Sequence, residues 1–382
     1  MTNSNPGKRR DPKRVSNPRH ERQLIRNQGI LPIGSRRRRA ALATSPNIQF
    51  HLLPYQCFQE ARAFLQEDRQ EKREQIQLYR SRIERLQAID VAPQDEAMKQ
   101  KRLADMRRKL EATKILADIN DPIVKRRFED GVGDMNKPIY RHLADKQWRA
   151  YKRRLLMQRI TQMNVVPDVL PAIDPVVSTT LSWPKYTKKI QHGDFVSSLV
   201  SEQPPVLKIQ PFDKGERLYT IAVINADVPD VQKDGFTYRC HFLASNIMVS
   251  PTNTVVPFSS LSETTQVILP WLPAYSQKGI EYQRMSIFVL EQPKSDTVGS
   301  QTLDVASIKT LGRYTKRDEF ILRSFADKYS LTPVGVDLFR TRWDEGTAGV
   351  MQRAGIVGWD VEFKRKRVEP LPYKRKDGAR YR

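Results

Sequence analysis

Ile76, Tyr79, Ile83 and Leu86 step along the chain by three, four and three residues, with mostly charged residues between them. That pattern is one narrow apolar stripe on a helix spanning about 55–90. Val91, Ala92 and Pro93 interrupt it, and Pro93 marks a turn. Leu103, Met106 and Leu110 repeat the stepping over about 95–117, so two helices across a short turn predict an antiparallel hairpin. Asp121 before Pro122 has the form of an N-cap followed by proline at the first helical position, and Gly131 supplies a stop. Another helix is expected over 138–162, containing Trp148, Tyr151 and the basic run Lys152, Arg153 and Arg154. Its two aromatic rings suit either packing against a neighbouring domain or stacking on exposed bases.

After Val165, Val166 and Pro167 the period shortens. β-rich runs broken by Pro, Gly and Asn predict strands at 176–182, 206–209, 219–225, 240–247 and 285–290. Residues 1–40 are rich in Pro, Asn and Arg and hold too few apolar side chains to build a core. They are nearly free of acids, which partly suits a mitochondrial presequence. Pro6, Pro12, Pro18 and Pro32 oppose an amphipathic helix there, so an extended basic arm is expected. The resulting division is an arm at 1–40, a charged helical region with a hairpin at 41–162, a mainly-β domain at 163–360 and a basic tail at 361–382. The fold class is α+β.

Charge sharpens that division. The 382 residues hold 66 Lys and Arg against 43 Asp and Glu, a formal charge of +23. Residues 1–40 carry +10, residues 41–160 carry +8, residues 361–382 carry +6, and residues 161–360 carry −1. A near-neutral domain between cationic extensions is an electrostatic footprint for a polyanion, most often nucleic acid. The candidate RNA contacts are Lys8, Arg9, Arg10, Lys13, Arg14, Arg36, Arg37, Arg38, Arg39, Lys152, Arg153, Arg154, Lys364, Arg365, Lys366, Arg367, Lys374, Arg375 and Lys376. Read more simply, the N-terminal run is a solvated, disordered tail and the helical runs are solvated faces with i,i+4 pairs.

Two cysteines, Cys57 and Cys240, with five scattered histidines, supply neither a disulfide framework nor a CxxC zinc site. Cys240 beside His241 is at most half a metal site, and a buried free thiol is the simpler reading. No apolar run approaches the roughly 20 residues of a membrane span. With no secretory hydrophobic segment either, an intracellular, reducing compartment is expected. No Ser/His/Asp triad, phosphate-cradling glycine loop or carboxylate dyad stands at useful spacing, so no catalytic residue, metal or cofactor is expected.

Two blocks carry a family pattern. Residues 219–250 read YTIAVINADVPDVQKDGFTYRCHFLASNIMVS, and residues 271–292 read WLPAYSQKGIEYQRMSIFVLEQ. Both resemble the signature blocks of the phosphatidylethanolamine-binding protein family, which hold D-P-D-x-P, paired histidines before a buried strand, and G-x-H-R. The likeness runs from about 168 to 343 and implies a large antiparallel sheet packed with a smaller sheet and peripheral helices. It also implies a pocket for a small, phosphate-bearing anion. In this chain that pocket's leading acid is Asn225, its first paired histidine is Cys240, and the histidine of the last motif is Gln283. Asp227, Pro229, His241 and Arg284 remain, and Tyr275 stands where the family has a small rim residue. Neutral amides cannot supply the charge and proton chemistry of an acid and an imidazole, so the pocket is expected to be vestigial. Arg284 is expected to pair with Asp227 as framework, against the alternative of ligand binding. His241 is expected to be a core histidine.

A degraded pocket behind charged helices and basic arms resembles the member of this family built into the mitochondrial large ribosomal subunit, in its fungal form. That resemblance implies a structural role in the mitochondrial matrix. Its partners would be ribosomal RNA and other mitochondrial large-subunit proteins, with no small-molecule substrate. The alternative is a regulator of the same family that binds phospholipid or another anion, which requires an open anion pocket.

Overall fold

The computed structural model describes residues 10–44, 56–90, 92, 94–184, 186, 188–294 and 300–364. Contacts divide the chain into two units, Met1–Gly131 and Val132–Arg382.

The first unit is helical. Helices α1 (Pro18–Gln28) and α2 (Arg36–Thr44) occupy the stretch expected to be an extended arm. The prolines do not oppose these helices, because of where they fall. Pro18 sits in the first turn of α1, where its missing N–H costs nothing. The Asn17 side chain caps that turn by accepting from the Arg19 N–H, and Gly29 at φ +64° closes the helix. Pro12 and Pro32 lie outside both helices, and the Pro12 carbonyl accepts a hydrogen bond from the Ile33 N–H at 3.1 Å.

Helices α3 (Gln56–Ala88) and α4 (Glu96–Asp118) form the expected antiparallel hairpin. Lys99 donates to the Ile89 carbonyl at one end (2.7 Å), and Arg69 reaches Asp118 (2.9 Å) and Asp121 (2.7 Å) at the other. The seam is thin: Ile83, Leu103 and Ala117 are its buried apolar side chains. Of the intervening turn, positions 91 and 93 lie outside the described residues. Helix α5 (Pro122–Glu129) starts as expected, with the Asp121 carboxylate accepting from the Ile123 N–H at 2.8 Å.

The second unit begins with one rod. Helix α6 (Pro138–Gln147) runs through a π turn at Trp148–Lys152 into α7 (Arg153–Gln162). Among the described residues eight strands follow: β1 (Ser178–Ser182), β2 (Val206–Gln210), β3 (Arg217–Asp230), β4 (Gly235–Val249), β5 (Val255–Pro257), β6 (Val267–Leu269), β7 (Gln283–Glu291) and β8 (Thr332–Thr341). They form a three-stranded sheet in the order β1-β2-β5 and a five-stranded sheet in the order β6-β4-β3-β7-β8, with every pairing antiparallel.

Both faces of the large sheet are covered, so its central strands alternate between two apolar environments. Ile221 and Val223 of β3 and Ile287 and Val289 of β7 face a core shared with Leu181, Leu207, Ile209 and Val256 of the small sheet. Ala222 and Ile224 of β3 and Phe288 and Leu290 of β7 face a second core, built with Leu156 and Ile160 of α7 and Leu322 and Phe325 of the helix Leu322–Lys328.

Helix α7, expected to belong with the charged helical region, therefore closes one face of the β body. The contact division falls after Gly131 rather than near 162. Replacing Ile160, fully buried in that core, with Ala is expected to cost the second unit about 2–5 kcal/mol in urea denaturation. A change within about 0.5 kcal/mol, the scale of an exposed site, would place α7 outside the core.

Candidate functional site

Three register shifts bend β3 against β4, and the last lies between the pairs Asn225–Arg239 and Val228–Thr237. Two residues, Ala226 and Asp227, stand there opposite Tyr238 alone, and such a bulge re-aims a side chain. The Asp227 carboxylate turns onto Arg284 of β7. It accepts from the Arg284 backbone N–H (2.7 Å) and from the guanidinium Nε (2.9 Å) and Nη2 (2.5 Å). The same guanidinium donates through Nη1 to the Met163 carbonyl and to Asp168 at 2.9 Å. The hydrogen bond to Asp227 raises the Arg284 pKa still further. The pairing of Arg284 with Asp227 suggested by the motif is present. Its tie to the segment after α7, through Asp168, had no signal in the motif.

Asn225 and Gln283 bond to each other. The Asn225 Nδ2 donates to Gln283 Oε1 at 2.9 Å, and Asn225 Oδ1 accepts from the Asp227 N–H at 2.9 Å. Gln283 Nε2 donates to the Asp227 carbonyl at 3.1 Å and to Gln277 Oε1. Both amides are buried. The acid and imidazole positions are thus filled by two neutral amides, each hydrogen-bonded within the chain. Tyr275 is 2% exposed. Its hydroxyl accepts from Arg239, the residue paired with Asn225 across the strands, and its ring lies 5.9 Å from that of His241.

His241 bonds through Nδ1 to the Leu272 carbonyl at 3.1 Å, while its buried Nε2 has no hydrogen-bond partner. Burial holds its pKa at about 3, so the ring is neutral. Burial likewise pushes the neighbouring Cys240 thiol up to about 12. A protonated thiol is neither a metal ligand nor a nucleophile, and among the described residues no three metal-ligating side chains gather. An open cavity of about 460 Å³ lies beside the Asp227–Arg284 pair. Its charged walls are Asp168, Asp227 and Glu281 against Arg284, which is already paired. Three carboxylates and one paired guanidinium leave that wall net acidic.

The cationic candidates divide into two groups. Arg39 is buried and donates to the Val15 and Gly34 carbonyls and to Glu21. Arg36 holds the same carboxylate through two bonds, of 3.1 and 2.8 Å. Hydrogen bonds from Arg36 and then Arg39 keep the Glu21 pKa at about 2. The run of four arginines is therefore half structural, leaving Arg37 and Arg38 exposed.

Arg153 bonds to Asp174 and to the Pro175 carbonyl, while Lys152 and Arg154 are exposed. Trp148 is buried and packs on Phe212 at 5.4 Å, which takes it out of base stacking; Tyr151 stays 67% exposed. Lys13, Arg14 and Lys364 are exposed, and Arg10 is half-buried. Lys8, Arg9, Arg365, Lys366, Arg367, Lys374, Arg375 and Lys376 lie outside the described residues.

A ligand bound only by the folded state raises stability by RT ln(1 + [L]/Kd), about 2.7 kcal/mol at a hundredfold excess over Kd. Millimolar phosphate or phosphoethanolamine is therefore expected to leave the melting temperature unchanged, whereas a rise of a few degrees would reveal a working anion site. The buried His241 gives a second expectation. Its folded pKa of about 3 lies below the unfolded value of 6.5, so its contribution is complete above pH 6.5 and is lost as pH falls toward 3. Between pH 6 and pH 5 wild type should lose about 1 kcal/mol more than the His241→Leu variant. Equal losses in urea titrations would mean that the ring protonates freely in the folded chain.

Residues 176–329 match the phosphatidylethanolamine-binding protein family model. The chain is 27% identical over 265 residues to a large ribosomal subunit protein, mL38, of Schizosaccharomyces pombe, covering 69% of this chain and 80% of that protein. It is also similar to a solved phosphatidylethanolamine-binding protein from Plasmodium vivax, at 16% identity and a TM-score of 0.37, over 49% of this chain and 97% of that one. A second such protein, from Plasmodium falciparum, is 20% identical with a TM-score of 0.35, over 48% of this chain and 95% of that one. Over residues 176–329, then, the β body is similar to proteins of the phosphatidylethanolamine-binding protein family.

Proposed function

We propose that this chain is a structural constituent of the mitochondrial large ribosomal subunit. Its basic N-terminal region, charged helices and C-terminal tail bind ribosomal RNA and neighbouring ribosomal proteins, while the β body is a non-catalytic docking module. The observation that carries this reading is the altered pair: Asn225 and Gln283 bond to each other where the family places an acid and an imidazole. A fold kept without its site calls for another role, and the positive charge outside the body supplies one. The similarity to mL38 extends over 69% of the chain, well beyond the family domain, so the likeness includes helical segments as well. RNA recognition of this kind rests on phosphate contacts and on shape, with little base-edge readout. The regulator alternative requires an anion site, and three carboxylates facing one paired arginine oppose it.

If Z phosphates are neutralised, log K falls with log[salt] with a slope of roughly −0.7Z to −0.9Z. Deleting residues 1–40, which carry +10, should flatten that slope and weaken binding to a structured RNA, measured by fluorescence anisotropy over a salt series. Unchanged affinity and slope in the deletion would remove the N-terminal region from the RNA interface.

A further inference from the structure

An acidic side chain in an RNA-binding arm normally weakens binding, because it subtracts from the charge presented to phosphate. Glu21 is one of two acids in residues 1–40, and its setting points the other way. Its carboxylate is 13% exposed and meets Arg39, which is 6% exposed, and Arg36. Arg39 also ties the Val15 carbonyl, before α1, to the Gly34 carbonyl, before α2. The Ile33 N–H to Pro12 carbonyl bond closes the same loop from the backbone. Leu24, 1% exposed, is the apolar side chain that α1 buries. Val15 is the other buried apolar side chain among the described residues 10–44, a core too small to hold two short helices in place, since isolated helices of this length are marginal in water. The Glu21 cluster is what fixes them.

We propose that Glu21 is a positioning residue for RNA binding, an inference that rests on the RNA-binding reading above. By neutralising and orienting Arg36 and Arg39, it pre-folds residues 10–44 into a rigid element. That element presents Arg19, Arg22, Arg26, Arg37 and Arg38, all exposed, without the ordering entropy a flexible arm loses on binding. Without the carboxylate, Arg39 would be a buried charge with no counter-charge, so the element opens.

The test uses the full-length chain and a structured RNA hairpin, with affinity measured across a salt series. Glu21→Gln adds one unit of net positive charge, so charge counting predicts equal or tighter binding. Pre-folding predicts about tenfold weaker binding with an undiminished salt slope and loss of hydrogen-exchange protection at the Ile33 amide. Arg37→Gln should behave oppositely, keeping that protection while reducing the slope by about 0.7–0.9. Because Glu21→Gln could disturb more than the cluster, a second variant replaces both partners with apolar residues. Such exchanges are often neutral for stability, so Glu21→Leu with Arg39→Leu should recover most of the affinity at unchanged net charge.

Glu21→Gln binding as tightly as wild type, or more tightly, overturns the proposal. So does a double variant that protects Ile33 yet still binds as weakly as Glu21→Gln. A wild-type chain that binds no RNA instead sinks the RNA-binding reading itself, and this proposal with it.

Discussion

One guanidinium organises the body. Arg284 lies on β7 and closes on Asp227 at the bulge of β3 and on Asp168 and the Met163 carbonyl beyond α7. The pair with Asp227 is mostly shielded from water, with side chains 14% and 16% exposed. Removing one partner of such a pair strands the other, at about 3–5 kcal/mol. A ligand-binding arginine must keep donors free for its ligand. Here Nε, Nη1 and Nη2 all bond to groups of the chain itself. The same guanidinium thus clamps the sheet, its bulge and the entering segment together.

The neighbouring amides complete the same change in chemistry. An acid and an imidazole in a buried pocket are kept for charge or proton exchange and resist burial unless a partner arrives. Asn225 and Gln283 need no outside partner, because each supplies the donor or acceptor the other lacks. Both amides are buried. Charge is instead concentrated in the helical and terminal segments, where solvated arginine and lysine are inexpensive to keep and available to a polyanion.

Much of the body could be read from the sequence, for definite reasons. The runs in β3 and β7 are continuous and apolar because both faces of the central strands are covered, and their motifs fixed their order. β8 went unread as a strand because Pro333 and Gly335 interrupt it. Pro333 is tolerated because β8 lies at the sheet edge. Gly335 is required because a Cβ there would stand 2.7 Å from the Val177 Cγ2. The ion pair of Arg284 with Asp227 was foreseeable from the motif, whereas Asp168 joins it only through the tertiary path of the chain after α7. The N-terminal helices were hidden by the prolines, although Asn17, Pro18 and Gly29 together spell a start and a stop. The inward turn of Arg39 depends on Glu21, eighteen residues away, and no local pattern marks it.

On the proposed function, this chain has exchanged a ligand pocket for a place in a ribonucleoprotein. Sedimentation of a mitochondrial lysate at moderate salt tests it most directly, with the chain followed by antibody across the gradient. The chain is expected to travel with the large ribosomal particle at moderate salt and to be shed as salt rises, since phosphate contacts are lost by counterion competition. A chain that stays in the light, soluble fractions at moderate salt would contradict it.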